Sequence, residues 1–420
     1  MRLSTFADVH AAIAPYWHTE VTRHNYGLDH MFALLEYLGD PQEKLKVVHV
    51  AGTSGKTSTA YYAAALLQAT GRQVGMTVSP HVDEVNERVQ INLTPLPEAE
   101  FAARFGEYLA LVRASGITPN YFELFIAFAF WEFAARGVDY AVVEVGIGGL
   151  LDSTNVISRQ DKVCVITDIG LDHTKVLGIT LAEIAAQKAG IIRLHNKVFC
   201  YRQSAEVTDV IKQRASAKHA DLTLLGAVPQ AALFDFLPLF QQRNLGLALC
   251  AVQSVAERDN LPTLTPVVLH QAAQTYIPAR MELYRISGKT LILDAAHNEQ
   301  KFQGLLGSVR KQYGGMSIAA LVRLNTPNGP ARRASASIRQ LTSGVQHIII
   351  TSVAEEDKGF NPARITQICQ AAEYESFEII PDSKEAFTAL LKRPEPVVLV
   401  AGSFLLLNHI RPLLKRTTKA

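Results

Sequence analysis

Residues 49–60, HVAGTSGKTSTA, put a lysine and several hydroxyls directly after a glycine turn. The β-branched run KVVHVA at 46–51 predicts a buried strand before the turn, and 56–70 predicts a helix after it. In such a turn the glycines let successive backbone N–H groups converge on an anion, and the helix adds its positive end. The lysine then reaches the outer phosphates as a mobile charge. The usual spacing is G-x-x-x-x-G-K-[ST]. Gly55, Lys56 and Thr57 fit it, whereas Val50 stands where the first glycine belongs and Gly52 lies three before Gly55. The anion cradle survives that change, so ATP or GTP is the expected ligand. The plain alternative is an exposed strand-to-helix turn with an incidental lysine.

Further chemistry is expected at the ends of neighbouring strands, where parallel sheets bind ligands. DYAVVEVG (139–146) ends near Glu144, a carboxylate deep in an apolar run that needs a metal, a cation or a plain salt bridge. KVCVITDIG (162–170) leads to Asp168, Asp172 and His173, types that can ligate Mg²⁺ or Mn²⁺; a capping or core role for the histidine is the alternative. Lys188 lies among small and apolar neighbours, AAQKAGII, and is either exposed or, if buried, in need of a partner or a charge-changing modification.

The elements that must hold these groups alternate strand and helix twice along the 420 residues. The first series comprises strands at 46–51, 74–78, 139–146 and 162–170 with helices at 56–70, 97–115, 121–136, 180–189, 244–257 and 265–276; 79–92 is expected as loop with a hairpin. The second comprises strands at 290–296, 318–324, 347–353, 377–381 and 397–402 with helices between them. The fold class is therefore α/β: a P-loop-type parallel-sheet domain over 1–278, then a smaller Rossmann-like domain over 279–420. Hydrophobic residues make up 48% and charged residues 19%, and the net charge of +2 gives no reason to expect a nucleic-acid or membrane partner. The apolar run 124–135 contains Glu132 and is too short to span a bilayer, so a buried helix is expected there. Cys164, Cys200, Cys250 and Cys369 show no metal-like spacing, and no export signal is visible, so the expected location is the cytoplasm.

The order of motifs resembles the folylpolyglutamate synthase/dihydrofolate synthase family within the Mur ligase superfamily. The resemblance rests on GTSGKTS (52–58), SPH (79–81), NER (86–88), YFE (121–123), EVGIGGLLDSTN (144–155) and GLDHTKVLGITLAEIAAQKAGI (170–191). Downstream it continues through QQRN (241–244), PARMEL (278–283), LDAAHN (293–298) and GSFLL (403–407). It implies an ATP-dependent carboxylate–amine ligase that adds L-glutamate to the γ-carboxylate of a reduced folate through an acyl phosphate. Gly52, Thr53, Ser54, Gly55, Lys56, Thr57 and Ser58 then form the ATP loop, with Asn244, Arg280 and Asp294 as further nucleotide contacts. Ser79, Glu144 and His173 are implied as Mg²⁺ ligands, and Lys188 as a carbamylated lysine beside a second Mg²⁺. Lys56, Lys188, His173 and His297 would act in catalysis, His297 by placing phosphate or glutamate. Gly27, Leu28 and Asp29, with Tyr121 and Phe122, match the pterin side.

The sequence also departs from that pattern. Ser54 stands in place of Asn, Thr57 where many members have Gly, and Leu150 in place of a common Arg; Ala295 and Glu299 replace Gly and Pro, and RLNTPNGPARRA (323–334) replaces a strand followed by Lys-Asp. The alternatives are dihydrofolate synthase activity on dihydropteroate, alone or combined, and a catalytically weak paralogue that holds nucleotide or folate. Small molecules and a monomer complete the expectation.

Overall fold

The computed structural model describes residues 3–17, 27–324, 331–353 and 360–417, so residues 325–330 of the divergent 323–334 stretch lie outside the described residues. The chain divides into two compact units: residues 1–237 with 241–275, and residues 238–240 with 276–420.

Among the described residues, the first unit is built on an eight-stranded sheet. Its strands are β1 (Lys46–Ala51), β2 (Val74–Thr77), β3 (Gln90–Ile91), β4 (Thr94–Pro95), β5 (Tyr140–Glu144), β6 (Val163–Ile166), β7 (Lys197–Tyr201) and β8 (Asp221–Leu225), in the order β4-β3-β2-β5-β1-β6-β7-β8. Pairing is parallel from β2 to β8, and β3 and β4 add an antiparallel hairpin at the edge. β1 sits between β5 and β6, with Val50 opposite Glu144 and Ala51 opposite Ile166. That register brings the phosphate loop, Glu144 and the 167–173 segment to one sheet edge. These strands read as unbroken apolar runs because helices cover both faces.

On one face, Phe101 and Phe105 of helix Glu98–Ser115 pack on Phe125 and Phe128 of helix Tyr121–Arg136, with Phe105 and Phe128 edge-to-face at 5.1 Å. On the other face, helices Leu181–Ala189 and Ala205–Ala217 bury Ile184, Ala185, Val207 and Ile211. Glu132 is fully buried in the aromatic layer, where Nε of Arg104 and Nε of Arg136 donate to its two oxygens at 2.9 and 2.6 Å. No helix among the described residues is long and apolar enough to cross a membrane.

The second unit holds β9 (Glu282–Ile286), β10 (Lys289–Leu293), β11 (Ile318–Arg323), β12 (His347–Thr351), β13 (Phe377–Ile379) and β14 (Val397–Ala401), ordered β13-β12-β11-β14-β10-β9. Only the β9–β10 hairpin is antiparallel among the described strands. Parts of this architecture differ from the sequence expectation, including helices Phe6–Ile13, Asp29–Tyr37 and Ala205–Ala217, which were not expected. Strands β7 and β8 fill a stretch that sequence left blank, β9 is an added edge strand, and helix Leu239–Asp259 begins before the expected 244.

Candidate active site at the phosphate loop

The loop between β1 and helix Lys56–Gln68 depends on two glycines with positive φ. Gly52 has φ +153°, and a Cβ there would collide with the Thr167 side chain. Gly55 has φ +92° and caps the helix, and a Cβ there would strike the Asn244 amide. Only glycine adopts these angles at little cost. Asn244 of the QQRN motif therefore packs directly on the loop.

The backbone donors are arranged differently from the expected full cradle. Thr53 and Ser54 both donate their amides to the Asp168 carbonyl, at 2.9 and 3.2 Å, stitching the loop to the end of β6. Thr53 Oγ1 adds a bond to the Gly170 carbonyl at 3.0 Å. The Gly55 and Lys56 amides make no backbone hydrogen bond among the described residues, which makes them the loop's first candidate donors to an anion. Ser58 is buried in the first helical turn.

Glu144 joins the loop to the next strand. It is only 2% exposed; Oε1 accepts from Thr57 Oγ1 at 2.9 Å and Oε2 from the Ser79 amide at 3.1 Å. The structure brings together Glu144, Ser79 and Thr57, the last expected only as a phosphate contact. Carboxylate and hydroxyl oxygens are the donors that Mg²⁺ prefers, so this set fits that ion. His173 stands beyond β6 with a left-handed backbone (φ +46°) and a half-exposed ring 4.0 Å from Asp172. Asp168, a candidate ligand by sequence, is instead paired with Arg243, whose Nη2 donates to Oδ1 at 2.7 Å. Among the described residues no group of three or more His, Cys, Asp or Glu is placed to hold a metal. The set implied by the family resemblance holds two such residues, Glu144 and His173, and a serine, Ser79.

Lys188, left open by sequence, is 3% exposed and donates from Nζ to the Gly52 carbonyl at 2.8 Å. Its helix also holds the 146–155 turn, because the Leu150 amide donates to the Gln187 carbonyl at 2.7 Å.

The sequence reading assigned no role to His49, Asp152 and Thr154. Asp152 is fully enclosed; it accepts from the Ile147 amide at 2.8 Å and from both the amide and the hydroxyl of Thr154. Burial raises its carboxyl pKa, while these donors and the nearby Lys56 ammonium oppose the rise. With the Thr154 proton given to Asp152, Thr154 Oγ1 accepts from His49 Nε2 at 2.8 Å. Burial holds His49 neutral by driving its pKa well down. This chain runs from His49 in the core of β1 to Asp152, which lies within electrostatic reach of Lys56. The signal was the DST of GGLLDSTN, three polar residues following an apolar strand.

On the aromatic side, Asn120 caps the helix that begins with Tyr121 and Phe122. Phe122 lies against Gly146, where a Cβ would strike its ring, and Tyr121 meets Trp17 edge-to-face at 6.2 Å. Leu28 packs on the same core, while Gly27 and Asp29 are exposed at the start of helix Asp29–Tyr37.

In the second unit Arg280 is flanked by two residues with left-handed backbones, Ala279 (φ +57°) and Met281 (φ +48°). Asp294 pins that turn, accepting from the Met281 amide at 3.0 Å and the Ala296 amide at 2.7 Å. Its burial pushes the carboxyl pKa up, and Arg280 and the two amides oppose this. His297 Nδ1 faces the Ala295 carbonyl at 2.8 Å, which makes Nε2 the acceptor for Lys301 Nζ at 2.9 Å.

Two family models match the chain in order: the Mur ligase middle domain over residues 50–242 and the Mur ligase glutamate ligase domain over residues 279–404. With the phosphate loop, they define an ATP-dependent ligase that forms amide bonds. The folylpolyglutamate synthase of Lacticaseibacillus casei is 30% identical over 419 residues, covering 91% of this chain and 93% of the relative. The dihydrofolate synthase/folylpolyglutamate synthase of Bacillus subtilis is 29% identical, covering 93% and 95%. A folylpolyglutamate synthase from Mycobacterium tuberculosis, solved with ADP, superposes with a TM-score of 0.82 at 25% identity, covering 97% of this chain and 98% of that one. The chain belongs to the folylpolyglutamate synthase/dihydrofolate synthase family.

Proposed function

We propose that this protein uses ATP to join L-glutamate to the γ-carboxylate of a reduced folate. A carboxylate oxygen attacks the γ-phosphorus, the bond to the β–γ bridging oxygen breaks, and ADP leaves. The glutamate amine then attacks the acyl carbon, phosphate departs, and the amine loses its proton. The observation that carries this reading is Glu144 holding Thr57 of the phosphate loop and Ser79 together, at 2.9 and 3.1 Å.

The Gly55 and Lys56 amides and the Lys56 ammonium bind and orient the phosphates, with Asn244 against the loop. Glu144 and Ser79, joined by His173, would hold Mg²⁺. When bound, that ion would neutralise the phosphate charge that repels an attacking carboxylate. Lys188 is proposed to be carbamylated: it is 3% exposed, and a carbamate would keep one N–H for the Gly52 carbonyl while presenting two oxygens. A second Mg²⁺ would share those oxygens. Arg280 and Asp294 are proposed nucleotide contacts, His297 a contact for phosphate or glutamate, and Gly27, Leu28, Asp29, Tyr121 and Phe122 the pterin side. A monomer is the proposed assembly.

The double name of the Bacillus subtilis relative favours a second reading, in which dihydropteroate is also an acceptor. One assay separates the two: ADP release with Mg²⁺, ATP and L-glutamate, and product masses recorded for each acceptor. A gain of one glutamate on tetrahydrofolate supports the first reading, and a gain on dihydropteroate supports the second. No gain on either acceptor, with ADP binding intact, overturns both.

A further inference from the structure

Arg88 ends a short 3₁₀ turn, Val85–Arg88, immediately before β3, and it is 7% exposed. Among the described residues no carboxylate lies within ion-pair distance of its guanidinium. Three other arginines are paired with buried carboxylates: Arg411 meets Glu282, and Arg104 and Arg136 share Glu132. The polar partners of Arg88 are both neutral: His81, whose Nδ1 accepts from Nε at 2.9 Å, and the Tyr121 hydroxyl. A ring nitrogen that accepts a hydrogen bond carries no proton, so this contact leaves the positive charge uncompensated.

Two acids stand within electrostatic reach, and both are committed elsewhere. Glu87 accepts from the amides of Val82, Asp83 and Glu84. Glu144 accepts from Thr57 and Ser79. The rings of Tyr121 and Phe125 lie 5.2 and 5.3 Å from the guanidinium carbon. Aromatic rings stabilise a cation through its face, whereas hydrogen bonds leave along its edge. With Nε taken by His81 and one hydrogen bond shared with the Tyr121 hydroxyl, the remaining edge still holds Nη hydrogens that match a carboxylate.

A buried cation without an anion costs stability, and the missing partner is best supplied by a ligand. The nucleotide phosphates have their own donors at Gly55 and Lys56. Arg88 belongs instead to the Ser79–Glu144 side, bordered by rings suited to a flat aromatic acceptor. Resting on the function proposed above, we propose that Arg88 binds the acceptor carboxylate that becomes the acyl phosphate. Its fixed charge orients that carboxylate and offsets its repulsion from the γ-phosphate.

The test uses the full chain as wild type, Arg88→Met and Arg88→Lys. Calorimetry measures ADP, the glutamate-accepting pteroyl compound identified by the product assay, and the carboxamide of that compound. Wild type should prefer carboxylate over carboxamide by roughly ten- to a hundredfold. Arg88→Met should bind both weakly and alike, Arg88→Lys should keep part of the preference, and ADP affinity should stay unchanged in both. The unliganded Arg88→Met chain should unfold close to wild type, because removal of a buried charge offsets the donor withdrawn from His81 Nδ1 and the lost ring contacts. A folded Arg88→Met that still prefers the carboxylate overturns the proposal, as does an Arg88→Met that fails to fold while Arg88→Lys shows full wild-type preference. Wild type that binds ADP and neither pteroyl compound instead overturns the proposed function.

Discussion

Lys188 Nζ donates to the carbonyl of Gly52 at 2.8 Å across 136 residues of sequence, tying a helix on one face of the sheet to the first glycine of the phosphate loop. Both groups are buried, so each depends on the other. Lys188→Met removes the donor and strands the carbonyl, a loss of about 1–3 kcal/mol. The penalty should fall on the loop. ADP affinity, measured by titration, should drop at least about tenfold, with a smaller change in the unfolding midpoint. Unchanged ADP affinity in a folded Lys188→Met would show that the loop does not need this anchor.

Gly52→Ala should be more damaging than its size suggests. Its φ of +153° strains any side chain, and the added methyl meets Thr167. Strain at such a position costs about 1–3 kcal/mol. The double variant Gly52→Ala/Thr167→Ala isolates the two causes. Removing the threonine side chain should recover the steric part and leave the backbone part. Calorimetric unfolding of the four proteins in the cycle reads the difference, and a full recovery would show that φ carries none of the cost.

Glu144→Gln tests the carboxylate as a double acceptor. Glu144 Oε1 serves the Thr57 hydroxyl and Oε2 the Ser79 amide, whereas a glutamine offers one oxygen and places an NH₂ against the other donor. Mg²⁺-dependent ADP release should fall by roughly a hundredfold or more, with the fold retained by circular dichroism. If the variant unfolds outright, the contact is structural and the metal assignment loses its support.

Part of this arrangement is legible in the sequence, for a physical reason. β1, β5 and β6 are covered on both faces, so each reads as an apolar run, and the glycine–lysine turn follows directly. Burial of Lys188 was an open choice, because small neighbours fit either an exposed or an enclosed lysine. β8 and β9 escaped because they are edge strands with half-buried residues and no apolar run. The Arg243–Asp168 pair spans 75 residues, and the Arg88–His81 contact joins a turn to a strand-end loop. Such pairings arise from tertiary packing and leave no local period to read.

Lys162 makes a pH-dependent prediction away from the site. It is fully buried, donates to the Ile157 carbonyl at 3.2 Å, and burial pulls its pKa down to about 8 from the ordinary lysine value of 10.5. Cys164 and Glu43 act against that fall, while Arg193 and Arg214 add to it. Below the folded value both states hold the proton, so the burial penalty is carried in full. As pH rises from about 8 to about 10.5, the folded state releases the proton while the unfolded chain keeps it, and this group's contribution becomes more favourable. Lys162→Met has no proton to release. At about pH 7 it should match or exceed wild type in stability, and by about pH 10 wild type should gain about 2.5 kcal/mol relative to it. Urea unfolding of both proteins at the two pH values measures the gain. A constant difference between them would place the folded pKa of Lys162 at its ordinary value and return the group to a solvated role.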